Sequence, residues 1–288
     1  MSIRHIRSLA VAAALALALT ACGGDDPEVE VEKDASFAAG TTMAKLSDAG
    51  TIKIGVKFDQ PGIGSKKPGS DAPEGFDIEM AKIIAAKLGI EPDKIKWVET
   101  VSANREPFLG NGTVDIVLAS YSITDERRGV VGQAGPYYVT GQQLLTSKDD
   151  DSIKGPDDLD GKKVCSVEGS TSIKTVEEKY GAAPAPFATY SECVQQLLSG
   201  SVDAVTTDGA ILLGYAAQNP DKLQVVGEAF SEERYGVGYG HDDAEMCKFL
   251  NDTLTESFED GSWKAAYDAT LGKSGSDAPE PPTVDPCA

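Results

Sequence analysis

Two charged side chains, each following a strand, carry the chemistry that can be read from residue type and placement: Arg127 and Asp208. Arg127 closes the stretch Val114 to Arg128, VDIVLASYSITDERR. Its apolar run Ile116 to Ala119 reads as a buried strand. Thr124 suits a helix N-cap, with Asp125 and Glu126 in the first turn. Arg127 therefore falls just past a strand's C-terminal end, where open α/β sheets bind ligands. A guanidinium there, beside the hydroxyls of Ser120 and Ser122, can hold a carboxylate through two parallel hydrogen bonds. Asp208 follows a second strand of the same kind, Val202 to Thr206, as the polar group at that strand's end. Its structural alternative is a helix N-cap for Ala210 onward. The alternative for Arg127 is a surface salt bridge with Asp125 or Glu126.

Other chemistries fail on residue count. His5 and His241 are the only histidines, which leaves no His-assisted nucleophile. Gly272-Lys273-Ser274 imitates the end of a phosphate loop, but position 267 is Tyr where the first Gly would stand. Gly236-Val-Gly-Tyr-Gly is not a dinucleotide fingerprint. The cysteine spacings fit no zinc pattern, and no metal or cofactor is expected. The acidic surplus points to no paired carboxylates and reads as solvated surface charge. No catalytic residue is assigned, and the chain is not expected to be an enzyme.

The formal charge is −20. That argues against nucleic acid and against charge-driven adhesion to anionic lipid. Residues 1–21 have a basic start and an apolar run from Leu9 to Leu19, too short to span a bilayer, and read as a signal peptide. Leu19-Thr20-Ala21-Cys22 resembles a bacterial lipobox, which implies cleavage before Cys22, a lipid on its thiol, and an extracytoplasmic protein anchored to the cell membrane. Four further cysteines remain, Cys165, Cys193, Cys247 and Cys287. Four allow three pairings; Cys165–Cys193 and Cys247–Cys287, each local to one lobe, are expected.

Residues 22–44 are acidic and weakly patterned and read as a flexible tether. From Thr51 onward strands and helices alternate. TIKIGVKF, Thr51 to Phe58, is a strand, and Met80, Ile83, Ile84 and Leu88 recur at helical spacing. YYVTGQQLLTS, starting at Tyr137, reads as a strand crossing into a second lobe. Val164 to Val226 repeat the α/β alternation, and two helices close the chain. The segment from Leu109 to Val117 recurs loosely from Leu198 to Val205, each joining a helix end to a strand through Val-Asp. Two lobes of similar make would each present a strand edge to a shared crevice.

On Gly75-Phe76-Asp77, the Val-Asp strand with Ser122 to Arg127, Pro136-Tyr137-Tyr138, Gly169-Ser170-Thr171 and Gly200 to Ala204 leading to Asp208, the chain resembles the cluster-3 extracellular solute-binding proteins of amino-acid ABC transporters. The likeness covers roughly Leu46 to Leu271. It implies the type II periplasmic-binding fold, two α/β lobes joined by a two-strand hinge. Lobe 1 is then 45–140 plus 238–272, lobe 2 is 141–237, and 273–288 form a Pro-rich tail.

The resemblance also implies roles. Arg127 and Ser122 take an α-carboxylate, with Ser170 and Thr171 aiming a helix N-terminus at the same group. Asp208 and Ser120 take an α-ammonium. Asn104-Arg105-Glu106-Pro107 is similar to the glutamate/aspartate-binding form of this segment, where the Arg meets a side-chain carboxylate; internal pairing of Arg105 with Glu106 or Glu99 is the alternative. Gln60, Lys57 and Lys66 or Lys67 could add polar contacts. Many members carry aromatic residues after the first strand, where this chain has Gln60-Pro61-Gly62, which suggests a ligand held by charge. The expectation is a monomeric, lipid-anchored receptor for glutamate, with aspartate, glutamine or asparagine as runners-up. It would deliver its ligand to a permease driven by an ATPase. A ligand sensor and a dehydratase-like enzyme on the same fold are the alternatives from other classes.

Overall fold

A computed structural model of the chain describes residues 27, 29–274 and 277–287. The expected signal peptide and Cys22 lie outside the described residues. In chain order the strands are β1 (Ile52–Val56), β2 (Asp59–Gln60), β3 (Gly64–Ser65), β4 (Ile95–Glu99), β5 (Ile116–Leu118), β6 (Gly132–Thr140), β7 (Gln142–Ser147), β8 (Lys163–Val167), β9 (Ala183–Phe187), β10 (Ala204–Asp208), β11 (Leu223–Val226) and β12 (Glu233–Tyr239). The helices are α1 (Thr42–Ala49), α2 (Phe76–Lys87), α3 (Arg105–Gly110), α4 (Asp125–Arg128), α5 (Thr171–Tyr180), α6 (Tyr190–Leu198), α7 (Gly209–Gln218), α8 (Ala244–Asp260) and α9 (Ser262–Ala269).

Two five-stranded sheets form, in the orders β4-β1-β5-β12-β6 and β9-β8-β10-β7-β11. Their logic is the same. Three parallel strands, β4-β1-β5 or β9-β8-β10, are followed by a strand arriving from the other lobe, β12 or β7, that runs antiparallel to both neighbours. The echoed Val-Asp segments feed β5 and β10, which occupy equivalent central places. Both strands are short and fully buried, β5 apolar throughout and β10 turning polar after Val205, so their polar ends emerge at the sheets' C-terminal edges, facing each other.

The chain crosses to the second lobe between β6 and β7 and returns just before β12. At the crossing, a Cβ on Gly141 would sit 2.5 Å from the Ser231 carbonyl, so only glycine lets the two connections touch. The return corrects the expected boundary. Glu233 already pairs with Thr140 across β12 and β6, so lobe 1 resumes at 233 rather than 238; Glu233 and Arg234 are polar enough to hide the start of an interlobe strand. A second correction concerns residues 22–44. Val29 and Phe37 pack on the core of lobe 1, Phe37 meets Phe249 edge-on, and the Glu32 N–H donates to the Ala86 carbonyl. From 29 on, this segment is a strap on lobe 1, and Thr41 caps α1, whose Met43 and Leu46 are buried. Two apolar residues scattered among acids have no period for a pattern search to detect.

Phe76 of α2 lies in an aromatic cluster with Tyr137, Tyr138, Trp263 and Tyr267. Disulfides join Cys165 to Cys193 and Cys247 to Cys287, with Cα atoms 5.5 and 5.8 Å apart. Residues 277–287 form neither helix nor strand, and the second bridge ties them to α8. Among the described residues, no helix is long and apolar enough to cross a membrane.

Candidate functional site

Arg127 sits in the last turn of α4, where the Thr124 hydroxyl accepts the Arg127 N–H, as the N-cap reading predicts. Its guanidinium is nearly buried. It donates to the carbonyls of Ser122 (2.6 Å) and, across the cleft, Gly169 (3.0 Å). Its Nε meets Glu106 Oε1 at 3.2 Å. The surface pairing with Asp125 or Glu126 does not form; Glu126 reaches across the cleft to Lys174 instead.

Arg105 is buried deeper, at 2 % exposure. Its Nε donates to the Ser102 carbonyl, Nη1 to the carbonyls of Ala119 and Ser120, and Nη2 to that of Gly169, all at 3.1–3.2 Å. Both guanidiniums lie over the Tyr121 ring, at 4.5 Å for Arg105 and 5.0 Å for Arg127. Neither Glu106 nor Glu99 pairs with Arg105, so its charge is solvated by carbonyl dipoles and a π-face but not cancelled. Burial, then the neighbouring Arg127, lower its pKa to about 10; it stays charged at neutral pH.

Ser120 adopts φ +43, in the left-handed region. A non-glycine residue there is strained, and Asp77 holds it in place. Asp77 Oδ2 accepts the Ser120 N–H (2.8 Å) and Oδ1 the Tyr137 hydroxyl (2.6 Å). This gives the Gly-Phe-Asp and Pro-Tyr-Tyr motifs a physical role: Phe76 anchors the helix start, and Asp77 with Tyr137 fixes the turn that carries Ser120 and Ser122. Burial raises Asp77 to about 6, against the pull of Tyr137 and Ser120.

The opposite wall comes from lobe 2. Ser170 caps α5 through the Ile173 N–H, and the Thr171 hydroxyl donates to Glu233. Asp208 ends β10. Its side chain does not cap α7; Oδ2 accepts the Tyr235 hydroxyl at 2.6 Å, and Oδ1 is buried with no partner. Burial, then the nearby Glu233, push its pKa up to about 7 against the Tyr235 hydrogen bond. An anion with a bare oxygen in such a place is suited to a cationic partner.

Ser120, Ser122, Arg105, Arg127, Ser170, Thr171 and Asp208 thus converge on one space between the lobes, joined by Ser102, Ser172, Tyr190 and Thr207. The space is about 10 Å³, no more than a single water needs. The lobes are closed, and Gly169 is a close contact between them: its carbonyl takes both arginines, its φ is +77, and a Cβ would fall 2.9 Å from Ala103 Cα. Gln60 does not line this space; it is fully buried in β2 with both amide atoms unpaired. Lys66 lies over Phe58, and Lys67 pairs with Glu74 on the surface.

Lys57 carries more weight than its sequence reading gave it. It follows β1, is 3 % exposed, and gives its ammonium to the Ser102 hydroxyl at 2.8 Å, directly behind the cleft wall. Burial, then Arg105, lower its pKa to about 7. Its place at the C-terminal end of a central parallel strand was the available signal. Ser102, Tyr190 and Tyr235 had no such signal, because tertiary packing alone brings them in.

The sequence pattern of bacterial extracellular solute-binding proteins, family 3, matches residues 52–273. The glutamate-binding protein GluB of Corynebacterium efficiens is 37 % identical over 268 residues, 89 % of this chain and 87 % of that protein. The glutamine-binding protein GlnH of Bacillus subtilis is 36 % identical over 267 residues, 92 % of this chain and 96 % of that protein. A solved structure of an ancestral arginine-binding protein bound to glutamine superposes with a TM-score of 0.73 at 37 % identity, covering 77 % of this chain and 98 % of that one. Two similar lobes closed on a shared charged cleft, and a match to nearly the whole folded chain, lead to one assignment: the chain belongs to family 3 of the bacterial extracellular solute-binding proteins.

Proposed function

We propose that this protein captures an acidic L-amino acid, glutamate first, between its two lobes and hands it to the permease of an ATP-driven importer. The observation that supports this most is the charge balance of the cleft. Lys57, Arg105 and Arg127 stand together at its lobe-1 wall, and the Arg127–Glu106 contact is the single ion pair any of the three makes among the described residues. A zwitterion would engage one cation and Asp208. The cations left over favour a second carboxylate, since buried charge without a counter-charge is costly. In this reading Arg127, Ser122 and the α5 N-terminus with Ser170 and Thr171 take the α-carboxylate, displacing the Gly169 carbonyl. Asp208 and Ser120 take the ammonium, and Arg105 with Lys57 meets the side chain. Gln60 has no part in this scheme. The likeness to GluB favours glutamate.

The likeness to GlnH favours glutamine as the second reading, and one observation supports it: Arg105 already spends four hydrogen bonds on carbonyls. Calorimetry with glutamate, aspartate, glutamine and asparagine decides. Glutamate should bind tightest; binding by none of the four would end the amino-acid reading. Lipid attachment at Cys22 belongs to the same proposal and is checked by mass spectrometry of the mature N-terminus, with Cys22→Ser releasing the protein from membranes.

A further inference from the structure

Residues 277–287 lie beyond position 273, where the family pattern ends, yet they reach the back of the cleft. The disulfide Cys247–Cys287 fixes this tail to α8. One helical turn on, Asn251 donates its Nδ2 to the Asp285 carbonyl (2.8 Å), while its Oδ1 accepts the Gly135 N–H (2.9 Å). The Asp285 N–H donates to the Gly135 carbonyl at 2.7 Å. The Asp285 backbone is thus held on β6 and α8 together, and its carboxylate points at two arginines. Arg128 Nη2 reaches Oδ2 at 2.7 Å, and Arg234 Nη2 reaches Oδ1. The site is partly shielded, with 23 % of the Asp285 side chain exposed.

Each arginine is the chain neighbour of a cleft residue. Arg128 ends α4 next to Arg127. Arg234 precedes Tyr235, whose hydroxyl donates to Asp208. The two segments are already stitched to each other: Ile123 N–H donates to the Arg234 carbonyl (2.8 Å), and Gly236 N–H to that of Tyr121 (2.9 Å). Without a carboxylate between them, Arg128 and Arg234 would be two like charges pressing those segments apart.

We propose that Asp285, carried on the disulfide-tethered tail, is a positioning residue that braces α4 against β12 and so sets Arg127 and the Tyr235–Asp208 pair at their working separation. The ligand groups involved are those of the function proposed above, so the brace rests on that reading. Because it acts on the residues for the α-carboxylate and α-ammonium, its loss weakens every amino-acid ligand by one common factor. Mutations in contact networks that never touch ligand change affinity by roughly two- to thirtyfold, and that is the range expected.

The test uses the full, oxidised chain and its Asp285→Asn, Asp285→Glu and Cys247→Ser/Cys287→Ser variants. Glutamate and glutamine are titrated by calorimetry, melting is followed, and amide hydrogen exchange is read at 123–128 and 233–236. Asp285→Asn should weaken both ligands equally and speed exchange in both segments. Asp285→Glu should restore most of the loss, and the disulfide variant should move the same way as Asp285→Asn. A lower melting temperature with affinities and exchange unchanged would show a tail that only adds stability, and would overturn the proposal; so would an effect on one ligand alone. If the unmodified protein binds neither ligand, the amino-acid reading has failed on its own account. Exchange in the ligand-free protein then still decides the brace: it must rise at both segments in Asp285→Asn, and unchanged exchange refutes it.

Discussion

If the cleft takes the ligands proposed above, Lys57 should make selection between glutamate and glutamine a matter of pH. Its ammonium is buried behind Ser102, and its pKa is lowered to about 7 by burial and by Arg105, with a smaller push from Arg127; Asp59 and Asp77 pull the other way. A side-chain carboxylate arriving within about 4 Å raises that pKa again, so glutamate should bind the protonated form and take up a proton where Lys57 is partly neutral. Glutamine, with an uncharged amide, gains little from the proton. Asp208 titrates in the same range, as does Asp77, but both serve the two ligands alike, so the ratio of glutamine Kd to glutamate Kd isolates Lys57. With a pKa of about 7, the protonated fraction falls from about 0.9 at pH 6 to about 0.1 at pH 8, so the ratio should drop roughly tenfold, or about 1.4 kcal/mol. Calorimetry in buffers of different ionisation enthalpy should show about half a proton more taken up with glutamate than with glutamine at pH 7. Lys57→Met should flatten the ratio and leave glutamine binding nearly intact. Lys57→Arg, charged throughout, should flatten it at a value that still favours glutamate. A ratio constant from pH 6 to pH 8 in the unmodified protein would refute the reasoning.

The other predictions separate the remaining groups. Arg127→Ala should remove binding of every amino acid below calorimetric detection. Arg105→Ala should cost glutamate more than glutamine and lower the melting temperature as well, because carbonyls of Ser102, Ala119, Ser120 and Gly169 lose a donor at about 1–3 kcal/mol for each one left dry. Asp208→Asn should abolish binding yet stabilise the ligand-free protein. The folded pKa is about 7 against an ordinary 3.8, so the folded state holds the extra proton between those values and the carboxylate's penalty is full only above pH 7. Thermal melts should show the variant's advantage, about 2–4 kcal/mol at pH 8, vanishing by pH 4.

The two lobes were legible because each strand that matters opens on apolar residues and runs into polar ones at its end. β5 and β10 announce themselves, and the Val-Asp echo places them in equivalent positions. Arg127, Asp208, Ser170 and Thr171 were legible for the same reason, since a strand end or helix start puts a side chain at the sheet edge whatever the rest of the chain does. Arg105 was legible as a residue but not as an environment: its carbonyl partners Ala119, Ser120 and Gly169 come from two distant segments, and backbone acceptors leave no trace in side-chain spelling. Gln60 shows the converse. It lies near the first strand's end in sequence, but in the β2–β3 hairpin its side chain is fully buried and does not line the cleft. Lys57 was passed over because a lysine after a strand is nearly always solvated; its burial is decided by that hairpin, where a Cβ on Gly64 would fall 2.9 Å from the Lys57 carbonyl.

The hairpin also bears on how the cleft stays shut. Asp59 of β2, in lobe 1, accepts the N–H groups of Tyr190 (2.8 Å) and Ser191 (3.3 Å), the first two residues of α6 in lobe 2. A carboxylate from one lobe thus serves the positive end of a helix in the other. Its carbonyl also accepts the Tyr215 hydroxyl. These contacts join the two lobes, so opening them would break the contacts, and none of them involves the groups assigned to ligand. They therefore favour the closed form by the same amount with or without ligand, shifting the opening equilibrium and so the apparent affinity. A helix-capping charge in a partly buried place contributes about 1–2 kcal/mol. Asp59→Ala should accordingly raise the radius of gyration of the ligand-free protein in X-ray scattering, weaken glutamine by roughly five- to thirtyfold, and weaken glutamate by at least as much. Lys57 feels the Asp59 charge as well, so the glutamine-to-glutamate ratio should begin its fall at a lower pH in this variant. Unchanged scattering together with unchanged affinity would mean that closure is held elsewhere, at the Gly169 carbonyl between the two arginines.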